Sequence, residues 1–334
     1  MFGGGLESLA YYTGSQLDVT GGVIFEANEL SHFGNDGSAD GQLFPFSPIT
    51  IDHHYALIGE ATYKGWQDWR LTLGARLQKN IGIIDSTDIL PRFAAIYTIN
   101  PKVRAKYVFN MSEVPPTLEL WRGGNDPVTL PSGSKLSGAT DTQKYKTHDP
   151  QLIYSSGKTQ FTGTLFYVQA EDMIQFLQGS IATNNSKRWA NMTDATTKGF
   201  QLEGKHKTGR FQFYGDYTFA DAKFKDRFIT VEGTTVDIVN NRAFASDEDL
   251  RIAGTPRHMW NLGADIDIKD NQFLNIHYRG YNDILTKCST VPEYRNLGSG
   301  HFFDLNYLWR NAGLKGLDLS FYVTLPPELP PLWS

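Results

Sequence analysis

The sequence predicts an all-β fold: an antiparallel, up-and-down transmembrane β-barrel, incomplete, with about 14 strands. Three observations predict it. Apolar residues recur with a period of two along almost the whole chain. The alternating runs are long, about 8–14 residues against the usual ~5–6 of soluble sheets, and a strand tilted across a bilayer needs about 9–11. The connections between runs alternate between short and long.

The runs justify the strands one by one. Trp69, Leu71, Leu73, Ala75 and Leu77 alternate with Arg70, Thr72, Gly74, Arg76 and Gln78. Val103, Ala105, Tyr107 and Phe109 alternate with Lys102, Arg104, Lys106 and Asn110. Phe211, Phe213, Tyr217 and Phe219 form a third apolar row, and Trp260, Leu262, Ala264, Ile266 and Ile268 a fourth, the latter interleaved with Asn261, Asp265 and Asp267. Leu317, Leu319, Phe321 and Val323 close the series. Successive side chains on a strand point to opposite faces, so each run has one apolar and one polar face. No segment sustains a helical period. The predicted strands are 6–14, 18–28, 51–64, 69–82, 91–99, 102–112, 146–156, 159–176, 191–205, 210–224, 257–268, 271–284, 300–310 and 317–324.

The connections carry the most specific signal. Short turns fall at 65–68, 100–101, 156–158, 206–209 and 269–271, and long loops at 29–50, 113–145, 177–190, 225–256 and 287–299. A medium loop at 82–90 interrupts an otherwise strict alternation. In an up-and-down barrel alternate connections share an end, so tight turns gather at one end and long loops at the other, as in outer-membrane barrels. The polar faces then line a lumen. A soluble sheet has no reason to sort its loops this way.

Composition limits the alternatives. The 334 residues are 13% aromatic and only 40% hydrophobic, and no apolar stretch is long enough for a transmembrane helix. A barrel hides its membrane faces behind alternation, so its mean hydropathy looks soluble. The net charge of −5 argues against nucleic acid as a partner. Cys288 is the only cysteine, so the chain forms no internal disulfide, and its plainest role is a free thiol in a loop. The opening MFGGGLESLA has neither a basic n-region nor an apolar h-region, so it is not a secretory signal. Read literally, that places the chain in the cytoplasm; the alternative is that it begins inside something longer.

Several motifs mimic chemistry. Asp36, Ser38 and Asp40 resemble the first half of a calcium loop, but Ser47 stands where the bidentate Glu belongs. His53 and His54 are neighbours on a strand, point to opposite faces and do not share a metal. The sequons at Asn110, Asn184 and Asn191 and the acidic run Ser246–Asp249 read as ordinary surface. No nucleophile elbow, P-loop or metalloprotease motif is present, so neither catalysis nor a cofactor is expected. The long loops carry Trp121, Arg122, Arg188, Trp189 and Tyr294, along with Tyr281. Arg forks onto carboxylates and aromatic rings stack, so these groups suit an anionic ligand with flat rings. The competing role for the aromatics is the membrane-interface girdle, and for the arginines it is lipopolysaccharide phosphate.

Six segments, in order, resemble TonB-dependent outer-membrane receptors. Pro91–Leu120 resembles a mid-barrel hairpin in which Pro-Arg opens a strand, although Ser112-Glu113-Val114-Pro115-Pro116 lacks the Arg of the family's Phe-Arg-x-Pro. TLFYVQAEDMI (164–174), KGFQLE (198–203), YTFADA (217–222), GTPRH (254–258) and GLDLSFYV (316–323) follow. The resemblance implies a barrel of about 22 strands with a plugged lumen, a signal peptide, a TonB box and a plug domain. It implies location in the outer membrane of a Gram-negative bacterium, lipid and lipopolysaccharide around the wall, and the TonB complex and a small molecule such as a siderophore as partners. Uptake of an iron-siderophore, haem, cobalamin or glycan is the leading expectation, with transport and no covalent chemistry. A self-contained passive porin-like barrel is the runner-up, followed by a soluble β-rich binding protein and an outer-membrane enzyme.

The division expected is 1–324 as partial receptor barrel and 325–334 as an aberrant tail. Four prolines between Pro326 and Pro331 forbid a strand, so a frameshift or fragment end is the simplest reading of the tail. Two open edges in lipid cost on the order of tens of kcal/mol, against a typical stability of ~5–15 kcal/mol, so the chain by itself is not expected to be a competent transporter.

Overall fold

The computed structural model describes residues 2–30, 50–82, 85–116, 128–129, 135–136, 141–177, 188–231, 234–237, 250–287, 294–296 and 298–325. Fourteen strands form one antiparallel sheet in chain order. They are β1 (Phe2–Thr13), β2 (Leu17–Leu30), β3 (Thr50–Tyr63), β4 (Trp69–Ile81), β5 (Ser86–Asn100), β6 (Val103–Val114), β9 (Gln143–Ser156), β10 (Thr159–Leu177), β11 (Arg188–Thr208), β12 (Phe211–Phe224), β15 (His258–Lys269), β16 (Gln272–Asn282), β19 (Gly300–Trp309) and β20 (Leu319–Leu325). Three two-stranded hairpins sit within long connections: β7 (Val128–Thr129) with β8 (Lys135–Leu136), β13 (Phe228–Val231) with β14 (Thr234–Asp237), and β17 (Leu285–Lys287) with β18 (Tyr294–Asn296). β1 and β20 are the edges of the sheet and do not pair with each other. Among the described residues there is no helix.

Each predicted strand is present, and the differences lie at the ends. β5 begins at Ser86 rather than 91, which shrinks the medium loop to 82–85 and makes it a tight connection at the long-loop end. Pro91 therefore lies inside β5 instead of opening it. It faces Ala75 on β4, and the ladder with β6 starts at Arg92 and Asn110, one residue past the missing N–H. β11 starts at Arg188 rather than 191, because the ladder with β10 continues through Trp189–Phe176 and Arg188–Leu177. The three small hairpins fall where the sequence predicts irregular loop: strands of two to four residues are too short to show a period. Residues 326–334 lie outside the described residues, as do Cys288, the calcium-like segment and the acidic run 246–249.

The two faces separate as the alternation requires. Leu73, Leu165 and Leu262 are 68%, 61% and 55% exposed on the outer face. The opposite face is bonded across strands, with Gln212 Nε2 and Asn275 Nδ2 on Asp265 at 2.9 and 2.7 Å and Asn261 Nδ2 on Asp216 at 2.6 Å. Trp69–Tyr97 (4.7 Å between centroids) and Tyr63–Trp66 (5.4 Å) sit near the short turns. Toward the long loops one motif recurs in three hairpins: Tyr107–His148, Tyr217–His258 and Tyr278–His301 join hydroxyl to Nδ1 at 2.8, 2.7 and 2.7 Å. An aromatic body with a polar tip suits a girdle between apolar and wet surroundings.

Gly199, in the KGFQLE segment, is required by packing. A Cβ there would stand 1.9 Å from the Phe219 carbonyl oxygen and 2.5 Å from the Phe166 ring, whereas at Gly59 nothing lies within 4 Å. Gly199→Ala is expected to cost about 1–3 kcal/mol by forcing the β11–β12 ladder apart. Gly59→Ala should stay within about 0.5 kcal/mol. The temperature at which each variant loses its heat-modifiable gel migration measures both.

Candidate functional site: the inner wall

The polar faces of β2 to β6 enclose a cavity of about 550 Å³. The period of two supplies its lining: alternate residues of β3 (Asp52, His54, Glu60) face alternate residues of β4 (Arg76, Gln78, Asn80) across the sheet. His54 Nδ1 donates to Asn80 Oδ1 at 2.5 Å, and Arg76 Nη2 donates to His54 Nε2 at 2.7 Å. Both contacts hold together only for neutral imidazole with its proton on Nδ1. Asn80 Nδ2 also donates to Ser86 Oγ (2.9 Å) and to Glu113 Oε1 (3.1 Å), and Gln78 Nε2 donates to the same oxygen of Glu113. Ion pairs flank this core, Lys144–Asp88 at 2.7 Å and Arg92–Glu60 at 3.3 Å.

Gln78 and Asn80 are only 4% and 5% exposed, so their bonds to Glu113 matter. Arg76 Nε is buried with no hydrogen-bond partner among the described residues, while the Glu113 carboxyl also hydrogen-bonds with the Asp88 carboxyl of β5. An unmet buried polar group costs about 1–3 kcal/mol, so this patch favours a surface that offers Arg76 an acceptor. Among the described residues no group of three or more His, Cys, Asp and Glu side chains is arranged for a metal ion. His53 turns to the outer face and stacks on Phe25 at 6.1 Å while His54 faces inward, so the two neighbours do diverge.

Above the wall, polar clamps hold the loop bases. Leu250–Gly254 runs beside β12, with Phe224 N to Leu250 O at 2.9 Å and Ile252 N to Ala222 O at 3.0 Å. Arg251, 4% exposed, reaches across to the base of the next loop: Nη1 donates to Asp283 Oδ1 at 2.9 Å, and Nη2 donates to the Asp283 and Thr255 carbonyls. Arg257 pairs with Asp221 at 3.2 Å and with Asp283 at 3.7 Å. In the neighbouring pair of loops Asn191 Nδ2 donates to the carbonyls of Asp172 (2.7 Å) and Asp141 (3.1 Å). Asp172 has φ 56° and lies in the irregularity that follows Ala170 in β10.

The loop residues singled out from sequence are not gathered at this cavity. Trp121 and Arg122 lie outside the described residues. Arg188 and Trp189 stand on the first rungs of β11, and Tyr294 opens β18 opposite Lys287. The residues sequence reading missed are Glu113, Gln78, Asn80, His54 and Arg76. Their polar-face alternation was visible, but which of many polar residues converge depends on register.

A single antiparallel wall, apolar outside and polar inside, with tight turns at one end and clamped loops at the other, defines a membrane-type receptor barrel. The chain belongs to the TonB-dependent receptor family: residues 3–324 match the family described as TonB dependent receptor-like, beta-barrel. Members of that family are Gram-negative outer-membrane proteins that act as transport receptors. Among solved structures it is similar to the FrpB iron transporter from Neisseria meningitidis (F3-3 variant), with TM-score 0.68 and 14% identity over 97% of this chain and 50% of that one. It is similar to a mutant of the ferric enterobactin receptor PfeA from Pseudomonas aeruginosa, with TM-score 0.65 and 12% identity over 97% and 53%. The copper transporter OprC aligns with TM-score 0.60 and 18% identity over 91% and 47%. The chain thus spans about half the length of these structures. No curated protein matches it.

Glu113→Ala strands the Gln78 and Asn80 amides and should cost about 1–3 kcal/mol. Lys79→Ala breaks only the exposed Lys79–Asp85 pair and should change stability by under about 1 kcal/mol. Thermal melts of the two variants in detergent check the contrast. Arg251→Ala releases the clamp, and limited proteolysis is expected to cut first within 225–257 while the sheet stays intact.

Proposed function

We propose that this chain is the barrel portion of an outer-membrane receptor for TonB-dependent uptake of a scarce nutrient such as an iron-siderophore, haem, cobalamin or glycan. The observation that carries this reading is the family match across residues 3–324, together with a wall whose inner face is polar and only partly satisfied. The iron, siderophore and copper receptors it resembles in fold support a small chelated or anionic solute as cargo. In this reading Arg122 and Arg188 hold the anionic groups of the ligand at the long-loop end, and Trp121, Trp189 and Tyr294 stack on its rings. The inner wall around Arg76 and Glu113 receives the plug, and TonB, drawing on the proton gradient of the inner membrane, rearranges that plug. The passive porin reading loses support from the unpaired edges β1 and β20, which a self-contained channel would join.

Uptake assays decide the matter. Cells carrying the receptor as their only route should accumulate one ligand from a panel of labelled siderophores, haem, cobalamin and glycans. Accumulation should stop when TonB is deleted or the proton gradient is collapsed. Transport that continues without TonB contradicts the proposal. Arg188→Ala and Tyr294→Ala should each weaken ligand binding roughly tenfold, the loss of about one charge-assisted or stacking contact.

A further inference from the structure

The wall has a seam at the long-loop end. β4 pairs with β5 as far as Ser86, and β9 pairs with β6 as far as Val114. Between β5 and β6 the ladder stops at Arg92 and Asn110. Residues 86–91 of β5 and 111–114 of β6 therefore flank a stretch with no ladder across it. Pro91, which brings no N–H, stands at its foot.

Side chains close this seam instead. Glu113 of β6 accepts from Gln78 and Asn80 of β4 and hydrogen-bonds with Asp88 of β5. Lys144 of β9, the rung partner of Glu113, pairs with Asp88 at 2.7 Å. Each of these bonds ends on Asp88 or Glu113. Glu113 and Lys144 lie beyond the Phe109–His148 rung toward the long loops, on the wet side of the aromatic girdle.

Carboxylates are acceptors only, so a hydrogen bond between two carboxyls requires one proton. The Lys144 ammonium is bound to Asp88, and Glu113 forms no ion pair among the described residues, so the proton falls to Glu113. The other charged groups of the cavity are Glu26 of β2, Asp52, His54 and Glu60 of β3, Arg76 of β4 and Arg92 of β5. Arg92 is held by Glu60 at 3.3 Å and Arg76 Nη2 by His54 at 2.7 Å, and neither pairs with Glu113. Asp172 of β10 adds a negative charge on the Lys144 side.

We propose that Asp88 and Glu113 form a proton-held latch: the shared proton keeps the β5–β6 seam shut, and its loss to water parts the two strands beside the cavity of about 550 Å³. A proton shared by two carboxyls leaves at higher pH than one on a free carboxyl. The folded seam thus keeps a proton that an unfolded chain gives up in the ordinary carboxylate range. The latch is at full strength below that range and weakens as pH rises. Once the proton is gone, two adjacent negative charges repel where no ladder holds the strands.

The width of the seam tests this. Ile89 of β5 and Val114 of β6 are exposed on its two sides. Ile89→Cys and Val114→Cys, in a Cys288→Ser background, take nitroxide labels in receptor purified from outer membranes, and dipolar broadening reports their separation. Strong broadening is expected at low pH. It should fall as the strands move apart by about 5 Å, one strand spacing, with a midpoint above about pH 5. Labels at Tyr154→Cys and Phe161→Cys, paired across the β9–β10 ladder, should not respond. Glu113→Gln keeps an acceptor for Gln78 and Asn80 and a permanent donor toward Asp88, so its seam should stay shut at every pH. Asp88→Asn supplies the same donor from the other side and should also abolish the transition. Unchanging broadening in the otherwise wild-type receptor overturns the latch. So does a transition that persists in Glu113→Gln or in Asp88→Asn with heat-modifiable migration intact. A transition lost in His54→Gln but kept in Glu113→Gln assigns the titration to the histidine and overturns it equally.

Discussion

Every main-chain amide in the wall needs a hydrogen-bond partner on a neighbouring strand, because hydrocarbon offers none. The rest of the structure depends on that requirement. It imposes the unbroken order of fourteen neighbours, in which each strand pairs with the next long strand in the chain. It confines proline: Pro91 sits where β5 has lost β6 as a partner, so its missing N–H breaks no rung. Beyond the alternating core β10 and β11 continue as a pair to Leu177 and Arg188, where the ladder keeps main-chain groups bonded to one another.

Once the ladder is in place, side chains sort by parity alone, and the two faces take separate tasks. The outer face needs only apolar bulk and interfacial aromatics, and the recurring Tyr–His pairs supply both in three hairpins. The inner face keeps its charges in use by bonding them to one another. Asp304 illustrates this: it is 6% exposed, accepts from Tyr322 and Thr324 at 3.0 and 2.7 Å, and so ties β20 to β19 by side chains as well as backbone. At the loop end Arg251 does the same, one guanidinium that joins the bases of two loops.

Much of this was legible in advance. Period two located all fourteen long strands and assigned Leu73, Phe213 and Leu262 to one face and Arg76, Asp216 and Asp265 to the other. The segments that resembled the family also turn out to be joined in space. Asp221 of YTFADA pairs with Arg257 of GTPRH, and Gly199 of KGFQLE is the residue whose replacement would strike Phe219 of that same YTFADA strand. The short hairpins were not legible, because two to four residues carry no measurable period. The cavity was not legible either. Glu113 lies in the segment that departs from the family pattern, and from sequence it is one carboxylate among 36 acidic residues. Its bonds to Gln78 and Asn80 depend on register across β4, β5 and β6.

The sequence by itself determined the fold class, the strand inventory, the inside and outside of the wall and the family, because alternation and loop spacing are local properties written into neighbouring residues. Only the tertiary structure decided which polar residues meet and which loop bases are clamped. Those follow from strand pairing that joins residues far apart in the chain, 61 positions in the case of Tyr214 and Asn275, and no local pattern encodes that distance.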